Sequence, residues 1–160
     1  MRKQKGFSLI ELLIVVAIIL IIAAIAIPNL LRSRIAANEA SAVGSVRTIN
    51  TAEVTYQTTY PAVGFTVTLT DLGGTPAVCA GTPTSTNACL IDNVLATGPK
   101  SGYTFALGGA SGAVPEVTYD VTAIPTATGQ SGQRSFFSDQ SGVIRYKADG
   151  TAPDNTANPL

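Results

Sequence analysis

An uninterrupted apolar run constrains this chain more than any other feature. The segment Leu12–Ile27 contains no polar side chain, and the acidic residue Glu11 stands directly before it. As a helix this run is about 24 Å long, and extending it over residues 7–31 gives about 37 Å, enough for a hydrocarbon core of about 30 Å. The sequence therefore predicts a membrane-spanning helix over residues 7–31.

A short basic leader, residues 1–6, precedes the apolar run. Its residues Arg2, Lys3 and Lys5 are typical of the cytoplasmic side of a membrane segment, so the rest of the chain is expected across the membrane. One alternative is a secretory signal peptide, since Ala24–Ala26 resembles a small-x-small cleavage site, although the apolar stretch is long for that role. A second alternative is a plain single-pass anchor.

Glu11 favours a third alternative, an anchor that is also an assembly surface. A carboxylate at the centre of a membrane helix costs about 2.5–3.5 kcal/mol, and less near its edge, and a plain anchor has no reason to bear this cost. If the chain is cut after Gly6, Phe7 gains a free amino group one helical turn before Glu11. The carboxylate and the amine of neighbouring chains could then pair.

The stretch Lys5–Leu13 (Lys-Gly-Phe-Ser-Leu-Ile-Glu-Leu-Leu), with the apolar run after it and Pro28, resembles the class III signal of type IV pilins and type II secretion pseudopilins. The resemblance implies that a prepilin peptidase cleaves between Gly6 and Phe7 and that Phe7 becomes N-methylated. It also implies that Glu11 neutralises the N-terminal amine of an adjacent subunit during assembly.

The resemblance further implies the partners and the location of the chain. The partners would be identical subunits in a helical homopolymer, the prepilin peptidase and an inner-membrane assembly platform. Before assembly the chain would span the inner membrane once with its N-terminus in the cytoplasm, and afterwards it would belong to a cell-surface or periplasmic filament. Two functions stay open: a structural pilin of a type IV pilus-like filament, or a pseudopilin of a short periplasmic pseudopilus for protein secretion.

Residues 32–60 predict an amphipathic continuation of the helix. Pro28 is expected to kink the helix rather than end it, and the helix should stop near Thr59, ahead of Pro61. Polar residues, among them Glu39 and Glu53, fall between apolar positions that recur every three or four residues. These apolar positions are Val43, Val46, Ile49, Ala52, Tyr56 and Tyr60.

The head, residues 61–160, is punctuated by Gly and Pro, and its alternating segments predict strands. The expected fold class is α+β, with an antiparallel sheet of three or four strands that packs one face on the second half of the helix and turns the other to solvent. A Thr-rich loop is expected over Pro76–Pro99, a hairpin turn over Asp139–Gly142, and an extended, poorly ordered tail over Asp149–Leu160. The strand segments are Tyr103–Leu107, Val117–Ile124, Arg134–Ser138 and Val143–Tyr146.

Cys79 and Cys89 are the two cysteines of the chain. An even count in an exported domain favours a disulfide between them over two free thiols. Closing so short a loop is worth roughly 2.5–3 kcal/mol in the chain-entropy model. A zinc site is not expected, because the sequence has no His and no further Cys to complete four ligands.

Composition argues against catalysis, a cofactor and nucleic acid binding. Without His or an activated Cys the head lacks a nucleophile–base pair, so no enzyme is predicted. Asp139, Asp149 and Asp154 lack the spacing of a calcium loop and are expected in turns, so no metal site is predicted. Removal of the leader would leave seven basic residues against ten acidic ones, a net charge of −3, and no basic patch for a nucleic acid backbone.

Overall fold

The computed structural model describes residues 7–160, so the leader lies outside the described residues. The chain divides into two compact units, one ending at Arg34 and the other running from Ile35 to Leu160. Helix α1, Leu9–Thr59, contributes to both units. Its end at Thr59 confirms the predicted stop before Pro61, whose ring disfavours a helical conformation for the residue before it.

The first unit consists of the apolar part of α1. Pro28 lies inside the helix, so the helical pattern does resume after it as predicted. Because Pro28 has no N–H, the carbonyl of Ala24 loses its usual helical partner. One turn later the Ser33 hydroxyl donates a hydrogen bond of 3.0 Å to the carbonyl of Asn29. The kink at Pro28 stays a prediction.

In the second unit, α1 buries one face against the head. Ala42, Val46, Ile49 and Tyr56 are each almost completely buried, while Val43 and Tyr60 pack against the same core from its edge. The predicted apolar stripe is thus confirmed as the core-facing side of the helix. Spacings of three and four residues put these side chains on one face, which the sheet then covers.

The sheet has six strands in the order β1-β2-β3-β4-β5-β6, and every neighbouring pair is antiparallel. The predicted α+β class is confirmed, but the predicted count of three or four strands is wrong. The four predicted segments correspond to β2–β5, and the two additional strands contain two residues each, too few to show alternation. The strands are β1 Pro99–Lys100, β2 Tyr103–Gly108, β3 Asp120–Pro125, β4 Ser135–Asp139, β5 Arg145–Lys147 and β6 Asn158–Pro159.

The C-terminal tail is not the poorly ordered segment that its composition predicts. Strand β6 pairs with β5, with Tyr146 opposite Asn158, and the N–H of Leu160 donates to the carbonyl of Ile144 at 2.9 Å. Ala157 is buried under the same pairing. A proline is compatible with this position because β6 is an edge strand, where one missing N–H breaks no ladder.

The predicted loop Pro76–Pro99 contains two single-turn helices, α3 Pro76–Cys79 and α4 Asn93–Ala96. Each follows a capping residue, since the Thr75 hydroxyl accepts from Val78 N and the Asp92 carboxylate accepts from Leu95 N. Another single-turn helix, α2, spans Leu69–Leu72 ahead of these two.

Alternation along the strands builds the core. In β3 the side chains of Val121 and Ala123 are fully buried, whereas the alternate residues Asp120, Thr122 and Ile124 are half-exposed. Tyr103 and Phe136, on β2 and β4, add two fully buried rings whose centroids lie 5.9 Å apart. The phenol of Tyr103 is satisfied inside this core because it donates to the carbonyl of Arg134 at 2.7 Å.

A disulfide joins Cys79 and Cys89, with sulfur atoms 2.02 Å apart and ten residues of sequence separation. The predicted pairing is confirmed. The bond ties α3 to the segment that follows it. At Cys89 that segment is also held to the head by a backbone hydrogen bond of 3.1 Å from its N–H to the carbonyl of Gly73.

Replacing both cysteines, Cys79→Ser with Cys89→Ser, is expected to lower the free energy of unfolding by about 2.5–3 kcal/mol, because the unfolded chain regains the entropy of the open loop. Denaturant titration of the full chain in detergent measures the change. A reducing agent should bring the wild-type chain to the same midpoint and leave the double variant unmoved. An unchanged midpoint in the double variant would contradict the prediction.

Candidate assembly surface

The N-terminal part of α1 presents an apolar surface that nothing in the described residues covers. Its large apolar side chains from Phe7 to Leu31 are each 41–79% exposed. By length and composition, α1 is the described helix that can cross a membrane. Five of these side chains, with Ala17, line an apolar groove along one side of the helix: Leu9, Leu12, Leu13, Val16 and Leu20.

Glu11 lies in the first turn of α1, close to the start of this surface. Ser8 is the N-cap residue, because its carbonyl accepts the first helical hydrogen bond, 3.2 Å from Leu12 N. The Glu11 carboxylate turns back and accepts the N–H of Ser8 at 2.9 Å through Oε2. A negative side chain here also faces the positive end of the helix dipole.

This contact gives Glu11 a local role that the sequence interpretation overlooked. Ser8 and Glu11 have the Ser-x-x-Glu spacing of a capping box, in which the acid at the third helical position satisfies the N-cap N–H. The spacing is readable in the sequence, so the motif could have been found there. A plain anchor therefore has some use for Glu11, and the acid alone does not establish an assembly role.

The predicted site residues fall into two groups. Glu11 lies in the first turn of α1 and Phe7, 79% exposed, lies two residues before the helix begins, whereas Gly6 lies outside the described residues. Cys79 and Cys89 belong to the head unit and contribute to its stability rather than to this surface. The cleavage, the methylation and the assembly role of Glu11 are not tested by this geometry.

Within the second unit, buried acidic residues attach α1 to the head. Glu39 is 7% exposed and receives three hydrogen bonds from the two residues directly before β4. Its Oε1 accepts from Gln133 N at 3.0 Å and Arg134 N at 3.1 Å, and its Oε2 accepts from Arg134 Nε at 2.8 Å. Burial raises the pKa of Glu39, but these donors and the guanidinium charge outweigh burial and hold the pKa below its usual value.

Two asparagines on α1 add neutral contacts to the head. The Asn38 side chain donates to the carbonyl of Ser131 at 2.7 Å. Asn50 donates to the Ser138 hydroxyl at 2.8 Å and accepts from the Tyr119 hydroxyl at 3.2 Å. Polar side chains thus fix the position of the helix against the segment before β4 and against Ser138 near the end of that strand.

The pKa of Glu53 is shifted in the opposite direction to that of Glu39. It is completely buried, its Oε2 accepts one hydrogen bond of 3.1 Å from Thr66 N, and its Oε1 has no hydrogen-bond partner among the described residues. Burial and the nearby Asp71 carboxylate raise its pKa to about 8, although the Thr66 N–H acts in the other direction. The electrostatic influence of Glu53 also raises the pKa values of Tyr56 and Tyr119, for which burial is the main cause.

The sequence pattern did not reveal these buried acids. Glu39 and Glu53 lie fourteen positions apart, close to four helical turns, and so share the face that carries the core residues. An acid on that face is unexpected unless its partners are known, and the partners come from distant segments of the chain. Among residues 7–160, no group of three or more His, Cys, Asp or Glu side chains is placed to hold a metal ion.

The described residues therefore define an α+β protein in which a helix able to cross a membrane carries an antiparallel head. Residues 1–27 match the family described as the prokaryotic N-terminal methylation motif. The chain is 67% identical over 39 residues to the type IV wide pilus major component PilA4 of Thermus thermophilus, an alignment that covers 24% of this chain and 30% of that protein. These similarities support the resemblance of the chain to type IV pilins.

A second relative points the same way. The chain is 43% identical over 54 residues to the type IV major pilin protein PilA of Myxococcus xanthus, and the alignment covers 34% of this chain and 24% of that protein. The chain thus spans less than a third of the length of either relative. No solved structure matches the chain significantly.

Glu53→Gln is expected to remove a pH dependence of stability. The pKa of Glu53 is about 8 in the folded chain, against the usual value of 4.5. Between these two pH values the folded chain keeps Glu53 protonated, whereas the unfolded chain has lost that proton. Stability from this group is complete below that window and is lost as the pH rises through it, by up to about 1.4 kcal/mol per pH unit. Denaturant titrations from pH 5 to 8 should show Glu53→Gln gaining on the wild-type chain as the pH rises.

Glu39→Gln is the matched control for this series. The pKa of Glu39 is lowered, so its contribution is present above the usual carboxylate pKa and is lost as the pH falls. This variant should therefore stay less stable than the wild-type chain from pH 5 to 8. A constant difference between Glu53→Gln and the wild-type chain across the series would refute the role given to Glu53.

Proposed function

We propose that this chain is the structural subunit, the pilin, of a type IV pilus-like filament. It is processed between Gly6 and Phe7, N-methylated at Phe7, and polymerised through its N-terminal helix. The observation that carries the proposal is the apolar surface of residues 7–31, exposed along its whole length and headed by Glu11, within the segment that matches the methylation motif.

The physical argument begins with that surface. It is too large to stay in water, so it is covered by lipid before assembly and by the helices of other copies afterwards. Both environments are apolar, so the hydrophobic effect does not by itself move the helix from one to the other. A specific polar contact then has to select the filament position, and Glu11 is the acidic residue that the apolar segment offers.

Glu11 supplies this selection by pairing with the free amine of Phe7 on a neighbouring copy. A subunit that enters out of register leaves a buried charge without its partner, which is strongly destabilising. Register is thereby enforced by the cost of the wrong arrangement as well as by the contacts of the right one.

The proposed partners follow from this sequence of states. The precursor is a membrane-anchored subunit whose leader is removed by a prepilin peptidase, and an inner-membrane assembly platform passes it to identical subunits. The N-terminus is cytoplasmic before assembly, and the head is displayed on the filament. Both relatives carry the names of major pilins, which favours the pilus over the pseudopilus of a type II secretion system.

Processing can be read directly from the mature N-terminus. Mass spectrometry of the chain purified from a cell with the prepilin peptidase should find Phe7 as the first residue, carrying one additional methyl group. Deleting the peptidase should restore residues 1–6. Retention of Met1 in the presence of the peptidase, or a cut near Ala26, would exclude the proposal.

Two substitutions separate the two roles of Glu11. Glu11→Ala removes both the cap on Ser8 and the charge, whereas Glu11→Gln keeps a side-chain oxygen that can cap the helix and removes the charge. If pairing with the Phe7 amine drives assembly, both variants insert and are processed but form few or no filaments. Electron microscopy and the amount of sheared surface protein measure assembly, and immunoblots of the membrane measure insertion.

The position-matched control is Leu12→Ala, which shortens a neighbouring apolar side chain without touching the cap or the charge. It should assemble far better than either Glu11 variant. Normal filaments from Glu11→Gln would show that Glu11 acts through the cap alone, and normal filaments from both variants would remove it from assembly altogether.

A further inference from the structure

The loop Gly109–Thr118 of the head is organised around one half-exposed carboxylate, that of Glu116. Glu116 Oε1 accepts from the backbone N–H of Ser111 at 2.7 Å, from the Ser111 hydroxyl, and from Val117 N at 3.1 Å, while its Oε2 accepts from Gly112 N at 3.1 Å. The Ser111 hydroxyl and N–H lower the pKa of Glu116 to about 2, so the group is negatively charged at any physiological pH.

The same loop is joined to the segment that follows α1. Glu116 N donates to the carbonyl of Val63 at 2.7 Å, and its carbonyl accepts from Phe65 N at 3.0 Å. The loop is thus held by its own carboxylate and by a backbone bridge. A loop fixed in this way loses little conformational entropy when it binds a partner.

This rigid loop exposes apolar side chains beside its negative charge. Val114 is 88% exposed, the largest value among the large apolar side chains of the described chain, and Val117 is 54% exposed. Val63, across the backbone bridge, is 41% exposed. We call Val63, Val114, Glu116 and Val117 the valine loop; it combines an apolar tip with a fixed anion.

A groove elsewhere in the same unit has the complementary character. It has a volume of about 320 Å³ and lies on the face of α1 between the helix and Leu90. The methyl groups of its threonines are outward-facing, because three hydroxyls are turned back onto helix carbonyls, as Thr51 is onto Arg47 O at 3.0 Å. The lining residues are Arg47, Thr48, Thr51, Ala52, Thr55 and Leu90.

Arg47 gives this groove an unpaired positive charge. The ion pairs among residues 7–160 join Lys100 to Asp92, Arg134 to Glu39 and Lys147 to Asp154, and none involves Arg47. The groove therefore offers a cation at the edge of an apolar floor, as the valine loop offers an anion at the edge of an apolar tip.

We propose that the valine loop of one copy docks into the Arg47 groove of a second copy, with Val114 on the groove floor and Glu116 paired with Arg47. This inference rests on the proposed function, since it assigns a contact between the head of one subunit and the head of the next in the same filament. Two different surfaces of one chain that complement each other form a heterologous contact, and repetition of such a contact yields an open helical polymer rather than a closed dimer.

The occupant is a second copy because both halves of the contact are on this chain and match in two respects. The apolar side chains of the valine loop match the apolar floor of the Arg47 groove. The negative charge of Glu116 matches the positive charge of Arg47, which forms no ion pair among the described residues. Such charge complementarity fixes register and orientation more than it adds affinity. The contact would thus position the heads, while the N-terminal helices supply most of the buried area.

Photo-crosslinking in assembled filaments tests this contact. Val114→p-benzoylphenylalanine is placed in the full chain, and filaments are assembled from a mixture of isotope-labelled and unlabelled subunits so that crosslinks between copies are distinguished from those within one. Digestion should give a crosslinked peptide that contains residues 47–55 or Leu90 of another copy. The same probe at Val143, another exposed valine of the head, is the matched control and should not reach that peptide.

A charge reversal adds a second readout. Arg47→Glu should reduce the yield of this crosslink about tenfold, while Arg47→Lys, which keeps the charge, retains most of it. Position 47 is exposed, so neither variant disturbs the core. Glu116 is left unchanged because it also holds its own loop together.

The outcomes separate this inference from the proposed function. Filaments whose Val114 crosslinks fall elsewhere, fall within one copy, or are unaffected by Arg47→Glu would overturn the docking contact and leave the pilin assignment intact. A wild-type chain that is processed but never forms filaments would overturn both.

Discussion

The need to cover the apolar side chains of residues 7–31 governs the rest of this molecule. These side chains are exposed along the whole described segment, so the first unit cannot remain in water by itself. Lipid meets this requirement for a single subunit, and other copies meet it for a filament. A basic leader on one side and a polar head on the other are what such a helix needs to stay oriented in a bilayer before it assembles. The head is therefore attached to a segment whose chemistry already decides where the chain can reside.

The second half of α1 has a different role. It packs against the head, whose core is modest, and has to keep a fixed position along it. Apolar burial alone tolerates sliding, whereas hydrogen bonds to buried acids do not. Glu39 achieves this with three donors from the two residues directly before β4 and remains charged. Glu53 accepts from a single donor and lies near the carboxylate of Asp71, so burial and this charge favour its protonated form. Two glutamates on one helical face thus behave differently: Glu39 forms an ion pair with Arg134, whereas Glu53 forms a contact that depends on pH.

What could be predicted from the sequence was local. The apolar run, the end of α1 at Thr59, the strands β2–β5 and the turn Asp139–Gly142 all follow from patterns within a few residues, and the structure has each of them. Strands β1 and β6 were not predicted, because a segment of two residues shows no alternation and because β6 depends on pairing with β5. The burial of Glu39 was invisible for the same reason, since its donors are more than ninety residues away. The cap between Ser8 and Glu11 was different: its spacing was readable, and the acid was nevertheless interpreted through assembly alone.

The cap that Glu11 forms on Ser8 is compatible with the pairing proposed for it, and the two together would let one acid serve the helix in two environments. In the first turn of α1, Oε2 accepts the N–H of Ser8, which leaves Oε1 available for a second donor. A carboxylate in apolar surroundings is stabilised by every donor that it retains. The cap therefore lowers the cost of keeping the charge while the subunit is alone, and an amine from a neighbouring copy would add a partner without displacing the first. An acid placed deeper in the run Leu12–Ile27 would have no free backbone N–H to accept, because helical N–H groups beyond the first turn are already paired. The first turn is thus the position at which this helix can keep a charge between insertion and assembly.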